Sequence, residues 1–464
     1  MKLQENNFLR SARYKVLAAS IAALSTALLA TSITQASDIE IYQDAKSGDI
    51  TLMFMLDISN SMNNYDTGAT GTRIERVKTA MIDLLQGNTT KGITKISDEK
   101  IIGLSTLGYL QGTSDYKNTG AVQVPARRLD AQVGNTTQRQ LLITTINNIK
   151  AYTNTPTARS YAETIAYLMG TTTATRERNV DDMPYYRQYN YTSRGQTYTQ
   201  MQKCIAWNSS YGSCNSWSNT TDVAPEGESI TSSGCTFTIN NVSTSNRICY
   251  YYSGIIEVAN QNSGFQYSAT STKNTEKTLY VSPSSLNQDE NIKACSGQGV
   301  YVLTDGEPTQ DSGSLPLIQG ALGSMGRSFT CNDTTWGCLE SLTQSLLSPA
   351  GNPKGLKFKT AVVGFGSSFN NISSYDKTLS QAQNLKNIDD AVIKTTNASD
   401  VKNAARWGVR AEGGWYSGNS SEDVVDSVND FISNLSKDIP SVTTGSPTIP
   451  RDALNPAELQ DEAY

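Results

Sequence analysis

The stretch TLMFMLDISNSM, residues 51–62, decides how this chain is read. With Ile50 before it, ITLMFML (50–56) is an unbroken apolar run of the kind that a strand buried on both faces requires. The run stops at Asp57, and Ser59 and Ser61 follow at alternate positions. In a near-extended turn, residues two apart project to the same side, so one carboxylate and two hydroxyls converge just past the strand's end. In an open α/β sheet that edge is where ligands bind.

A second strand closes the same way. VYVLTDGEPTQ (300–310) sets Asp305 directly after the apolar run 299–304. Around these two, strand-like runs alternate with segments of helical period, the pattern of parallel strands joined by crossover helices. RIERVKTAMIDLLQ (73–86) puts Ile74, Val77, Met81, Leu84 and Leu85 on one helical face, with Gly87 at its stop. KIIGLSTLG (100–108) reads as a strand, and 138–150 and 159–169 read as helices flanking the loop AYTNTPT (151–157). LKFKTAVVGFG (356–366) and 413–416 are further strands. In SSEDVVDSVNDFISNL (420–435), Ser420 stands three residues before Asp423 as in a capping box, and Val424, Val428, Phe431, Ile432 and Leu435 form one stripe of a last helix. The expected fold is α/β, a doubly wound and mostly parallel sheet.

From Thr171 to Lys293 the composition turns polar, with four of the seven cysteines, eleven of the 23 tyrosines and no long helical period. Residues 171–296 therefore read as an insertion of short strands and loops stapled by disulfides, since so little aliphatic content cannot fold on a core of its own. The main domain spans 37–436 around it. Residues 437–464 carry Pro440, Pro447, Pro450 and Pro456 and read as a linker or tail.

The 464 residues are 37% hydrophobic, enough for a large core and for more than one typical domain of roughly 100–200 residues. A net charge of -5 lacks the basic excess that gathers phosphates, so no nucleic-acid partner is expected. Histidine is absent. That removes every Ser-His-Asp or Cys-His mechanism, every His-ligated metal site, and the commonest general base near neutral pH.

Residues 1–36 read as an export signal: Lys2, Arg10, Arg13 and Lys15 precede the mostly apolar VLAASIAALSTALLATSI (16–33), and Thr34-Gln35-Ala36 has the small-x-small form of a cleavage site. An uncleaved anchor competes with that reading, but Ser and Thr interrupt the run and no other long apolar stretch follows, so no membrane span is expected after removal. Seven cysteines suit an oxidising destination. Short spacings suggest Cys204–Cys214, Cys235–Cys249 and Cys331–Cys338, with Cys295 left over; the absence of C-x-x-C pairs argues against zinc.

Asp57, Ser59, Ser61 and Asp305, joined by Thr155 or Thr157 from the 151–157 loop, form a set of hard oxygen donors with no thiolate and no imidazole. Such a set selects magnesium first, or manganese or calcium. Each piece alone is more often a turn or a helix cap. Their coincidence at two strand ends favours the cation.

FMLDISNSM with VLTDGEP resembles the von Willebrand factor type A domain and its metal-ion-dependent adhesion site, whose pattern is Asp-x-Ser-x-Ser, a distant Thr, then an Asp. Asp57, Ser59, Ser61 and Asp305 match it, with Thr155 preferred over Thr157 for the threonine; Asn60 stands where glycine is common. The resemblance implies an open sixth position for an Asp or Glu of a partner protein, and coupling of that position to the last helix. SDIEIYQ (37–43), TPTARSYAETI (155–165) and GGWYSGNSSEDVVDSVNDF (413–431), in this order with the two motifs above, are similar to the N-terminal region of the PilC/PilY type IV pilus tip adhesins. This implies an exported protein of the cell surface or pilus tip (the fimbrium), reached through periplasm or outer membrane, with pilins or minor pilins and host-surface or matrix proteins as partners. Members of that family continue into a large β-propeller, which nothing after Asp438 supplies; a short, truncated or split form is expected. Two other readings stay open: a secreted metal-dependent binding module without a pilus, and a metal-dependent hydrolase. The second is disfavoured because metal hydrolases use more carboxylates or histidines to activate water, so no enzyme is expected.

Overall fold

Strand β1 (Ile50–Leu56) runs through the middle of a six-stranded sheet and is buried along its whole length, as its unbroken apolar run requires. The computed structural model describes residues 49–109, 118–208, 213–218, 229–231, 237, 239, 242–288, 296–332, 334–418 and 420–436. The expected export signal, the 437–464 tail, Cys235 and Cys295 lie outside them.

The other strands of this sheet are β2 (Ile101–Thr106), β3 (Ala121–Arg128), β9 (Gly297–Thr304), β10 (Phe358–Gly364) and β11 (Glu412–Ser417), in the spatial order β11-β10-β9-β1-β2-β3. All pairings are parallel except β2 with β3. Alternation along β1 sends Met53 and Met55 to one face and Leu52, Phe54 and Leu56 to the other. The first face is covered by α3 (Thr157–Met169), α4 (Leu315–Ala321), α5 (Thr335–Leu347), α6 (Gln381–Asp390) and α7 (Ala398–Arg410). The second is covered by α1 (Arg73–Gln86), α2 (Gln138–Asn148) and α8 (Ser421–Ser436). The chain is a mixed α/β protein with helices on both faces of a mostly parallel sheet.

Local chemistry fixes the helix starts. Thr72 and Glu75 exchange hydrogen bonds as a capping box before α1, and Ser420 and Asp423 do the same before α8. Strand β3 is an addition to the sequence reading: AVQVPARR contains a proline, which an edge strand tolerates.

The insertion departs from the expected short strands. β4 (Thr175–Ser193), β5 (Gln196–Asn208), β6 (Ser213–Trp217), β7 (Ser229–Thr231) and β8 (Thr244–Ala259) form an antiparallel sheet in the order β6-β5-β4-β8-β7, and β4 and β8 reach 19 and 16 residues. Cross-strand aromatic and cationic side chains replace the missing aliphatic ones. Tyr191 stacks on Tyr198 at 5.4 Å, and Arg187 lies 4.4 Å from the Trp217 ring centroid and 5.1 Å from that of Phe237. Tyr186 and Tyr189 are buried in this arm, so part of its tyrosine content serves its own packing. Disulfides join Cys204 to Cys214 and Cys331 to Cys338, and Cys249 is disulfide-bonded. No helix among the described residues is long and apolar enough to cross a membrane.

The polar segment is not separate from the main core at its base. Phe265, Tyr280 and Leu286 belong to the cluster on the first sheet face, and the buried carboxylate of Glu163 in α3 accepts from Thr173 Oγ1 (2.6 Å), the Gly264 N–H (2.8 Å) and the Tyr280 hydroxyl. Burial pushes Glu163 up to about 7, against the pull of those donors. Excision from Thr171 to Lys293 is therefore expected to unfold the chain: losing three such core side chains at about 3 kcal/mol each is comparable with a whole typical net stability, and the excision also takes the partners of buried Glu163. Joining Thr175 to Ala259, partners in the β4–β8 ladder, by a short Gly-Ser turn is expected to keep a cooperative thermal transition. Circular dichroism melts of both deletions check this.

Candidate cation site

The strand order creates the site. From β1 the chain adds β2 and β3 on one side, then returns to add β9, β10 and β11 on the other. The loops after β1 and β9 thus leave in opposite directions from adjacent carboxyl ends, which opens a crevice at this switch point. Asp57 is the first residue beyond β1 and Asp305 the first beyond β9.

The two loops are tied together through Asp57. Its N–H donates to the Leu303 carbonyl at 2.8 Å, its Oδ1 accepts from the Ser59 N–H at 2.8 Å, and its Oδ2 accepts from the Thr304 hydroxyl at 2.8 Å and the Asp305 N–H at 3.4 Å. The Ser59 and Ser61 hydroxyls lie 2.9 Å apart. After Ser59 the chain makes a short 3-10 turn, Asn60–Asn63, anchored by Met62, which is fully buried in the second-face core. Asn60 keeps a negative φ, so glycine is not needed there. Gly306 does need its type: its φ is +86°, and a Cβ would stand 2.5 Å from the Phe369 ring.

A third loop closes the rim. The Asn60 N–H donates to the Thr153 carbonyl at 2.9 Å, and Thr155 is fastened at both main-chain atoms to Thr309: its N–H donates to Thr309 Oγ1 and its carbonyl accepts the Thr309 N–H, each at 3.0 Å. Thr157 begins α3 and donates its hydroxyl to the Thr155 carbonyl at 3.4 Å. The loop thus meets the first motif through Thr153 and the segment after Asp305 through Thr155, while Thr157 lies at the helix start.

The electrostatics are unfavourable without a cation. Asp57 is fully buried and Asp305 is 6% exposed. Burial raises the Asp57 carboxyl above 3.8 despite the hydrogen bonds from Ser59, Thr304 and Asp305. Asp305 is pushed up to about 7 by burial and then by the Asp57 charge, with the Ser61 hydroxyl and the Arg73 guanidinium pulling the other way. Asp305 Oδ1 is buried and accepts no hydrogen bond. A buried acceptor left over beside two hydroxyls and a second carboxylate is a set that suits a hard dication. Among the described residues there is no group of three or more His, Cys, Asp or Glu that could hold a metal; the set here relies on hydroxyls instead.

Three contributors escape the sequence reading. Thr304 orients Asp57, as above. Arg73, the first residue of α1, reaches Asp305 Oδ2 at 3.1 Å and is held from behind by Asp66 at 2.8 Å. Asp311 accepts the N–H groups of Ala158 and Arg159 at 2.7 and 3.0 Å and so fixes the start of α3. No local pattern marks these residues, because each acts across a long loop.

No protein-family model matches this sequence, and a comparison with curated proteins found no match. Among solved structures, the chain is similar to the PilB minor pilin from Streptococcus sanguinis, with a TM-score of 0.31 and 12% identity over 86% of this chain. The match spans 64% of that pilin's length. Overlap and identity this low carry no argument about function.

Proposed function

We propose that the chain is a von Willebrand factor A-like adhesion module of the PilC/PilY kind, associated with type IV pili, that binds an acidic group of a partner protein through a divalent cation and catalyses no reaction. The observation that carries the cation reading is the convergence of Asp57, Ser59, Ser61 and Asp305 at adjacent strand ends, with Asp305 Oδ1 unsatisfied. The pilus assignment is supported by the order of the sequence motifs. Asp57, Ser59, Ser61, Thr155 and Asp305 would hold the ion, magnesium being favoured by the all-oxygen donors. When bound, the ion would supply an electron-poor centre that accepts a carboxylate; the chain's own role is to pre-orient the oxygens and keep the carboxylates few.

The test is calorimetric titration of the purified protein with magnesium, manganese and calcium chlorides across pH. Binding needs an ionised Asp305, so affinity is expected to rise with pH and level off above about 7. From pH 7.5 down to 5.5 it should fall by about tenfold or more. The apo protein should show the opposite trend in stability. A carboxyl raised from 3.8 to about 7 contributes stability fully below 3.8 and loses it as pH rises through about 7. No heat with any of the three salts would sink the cation reading. Chelator-insensitive attachment to host cells would separately sink the adhesive role, and pilus counts in a site variant separate adhesion from assembly.

A further inference from the structure

We infer that Arg73 is a built-in competitor for the cation: its guanidinium neutralises Asp305 when no dication is bound and weakens the hold on a dication when one is. This inference rests on the cation reading of the site, and it concerns how tightly the ion is held.

The guanidinium is placed, not incidental. Its Nη1 donates to Asp305 Oδ2 at 3.1 Å while Nε and Nη2 donate to Asp66 at 3.2 and 2.8 Å. The side chain is only 17% exposed. Gly366 makes room for it: a Cβ there would lie 2.8 Å from Arg73 Nη2. The other Asp66 oxygen is taken by Arg76, so Asp66 is shared between two guanidinium groups.

Arginine keeps its proton across the physiological range, so this charge is fixed and cannot be titrated away. A dication bound to Asp305 would sit within a few ångströms of it, in a place where burial weakens solvent screening. Repulsion between fixed charges at that range changes affinity by about tenfold or more. Asp66 moderates the effect by drawing the guanidinium back and partly neutralising it.

Two substitutions should therefore move cation affinity in opposite directions. Arg73→Gln removes the competitor and is expected to tighten magnesium and manganese binding by about tenfold, with Arg73→Lys staying near wild type. Asp66→Asn removes the carboxylate that draws the Arg73 guanidinium back from Asp305 and partly neutralises it, and is expected to weaken binding several-fold. Calorimetry with magnesium and manganese chlorides on the full chain at about pH 8.5, chosen because Arg73 also helps to ionise Asp305 and its loss would mask the effect near neutral pH, reads both, with circular dichroism confirming the fold. A folded Arg73→Gln protein that binds the ions no tighter than wild type overturns the inference and leaves the site standing. Should Arg73→Gln fail to fold, Asp66→Asn decides: binding as tight as wild type, or tighter, overturns it equally. If neither wild type nor any variant binds either ion, the cation reading falls, and this inference with it.

Discussion

Asp57→Asn is expected to abolish measurable cation binding, a loss of about 3 kcal/mol or more, while leaving the protein folded. The substitution separates charge from shape. Asparagine keeps an oxygen for the Ser59 N–H, and Thr304, which donates to Asp57 Oδ2, can turn to accept from the new amide. The Thr304 hydroxyl already accepts from the Gly306 N–H at 3.0 Å, so its second lone pair is available for that bond. What disappears is the charge of one of the two buried carboxylates, together with the long 3.4 Å bond from the Asp305 N–H to Oδ2. In the apo state this is a relief, since burial disfavours the Asp57 charge and that charge in turn raises Asp305. The apo unfolding free energy above pH 7 should therefore stay the same or rise by about 1 kcal/mol. Magnesium is expected to stabilise the wild type by mass action and to leave the variant's melting temperature unmoved. A variant that still gains stability from magnesium would place the ion elsewhere.

The parts of this protein that were legible in its sequence share one property: their signal is local. The runs 50–56 and 299–304 are apolar throughout because both faces of their strands are covered, and Asp57 and Asp305 stand out because they end those runs. Helix α8 declares itself by its capping pair and its valine and phenylalanine stripe. Helix α7 carries a local signal as well, with Val401, Ala404, Ala405, Trp407, Gly408 and Val409 on its buried side between charged positions, yet the sequence reading leaves 398–410 unassigned. The long strands β4 and β8 are hidden for a physical reason. Their faces are distinguished by tyrosines, arginines and glutamines, and not by an apolar–polar alternation. The site was half legible in the same sense. The Asp-x-Ser-x-Ser turn is read from spacing, while Arg73, Thr304 and Asp311 act through contacts that only the folded chain creates.

Asp311→Ala is expected to cost about 2–3 kcal/mol of stability and to weaken cation binding by about tenfold, although Asp311 touches none of the proposed ligands. Helix α3 begins after Pro156, whose side chain offers no acceptor for the first free N–H groups. Asp311 supplies that acceptor from another loop, with Oδ2 taking Ala158 N–H and Oδ1 taking Arg159 N–H, and its negative charge suits the helix's amino end. Burial pushes its carboxyl up to about 7, against the pull of those two N–H groups, so it is held there at a cost. The same loop grips Thr155 through Thr309 and carries Asp305 at its head. Asp311 thus locks the distance between two of the three loops that make the rim. Removing it frees two buried donors and lets the Thr155 segment move relative to Asp305. Asp311→Asn keeps one acceptor and should restore part of both losses. A purely structural role would lower the urea midpoint and leave affinity untouched at temperatures well below melting. Measuring both quantities on both variants separates the two, because positioning predicts that affinity and stability fall together in Asp311→Ala and recover together in Asp311→Asn.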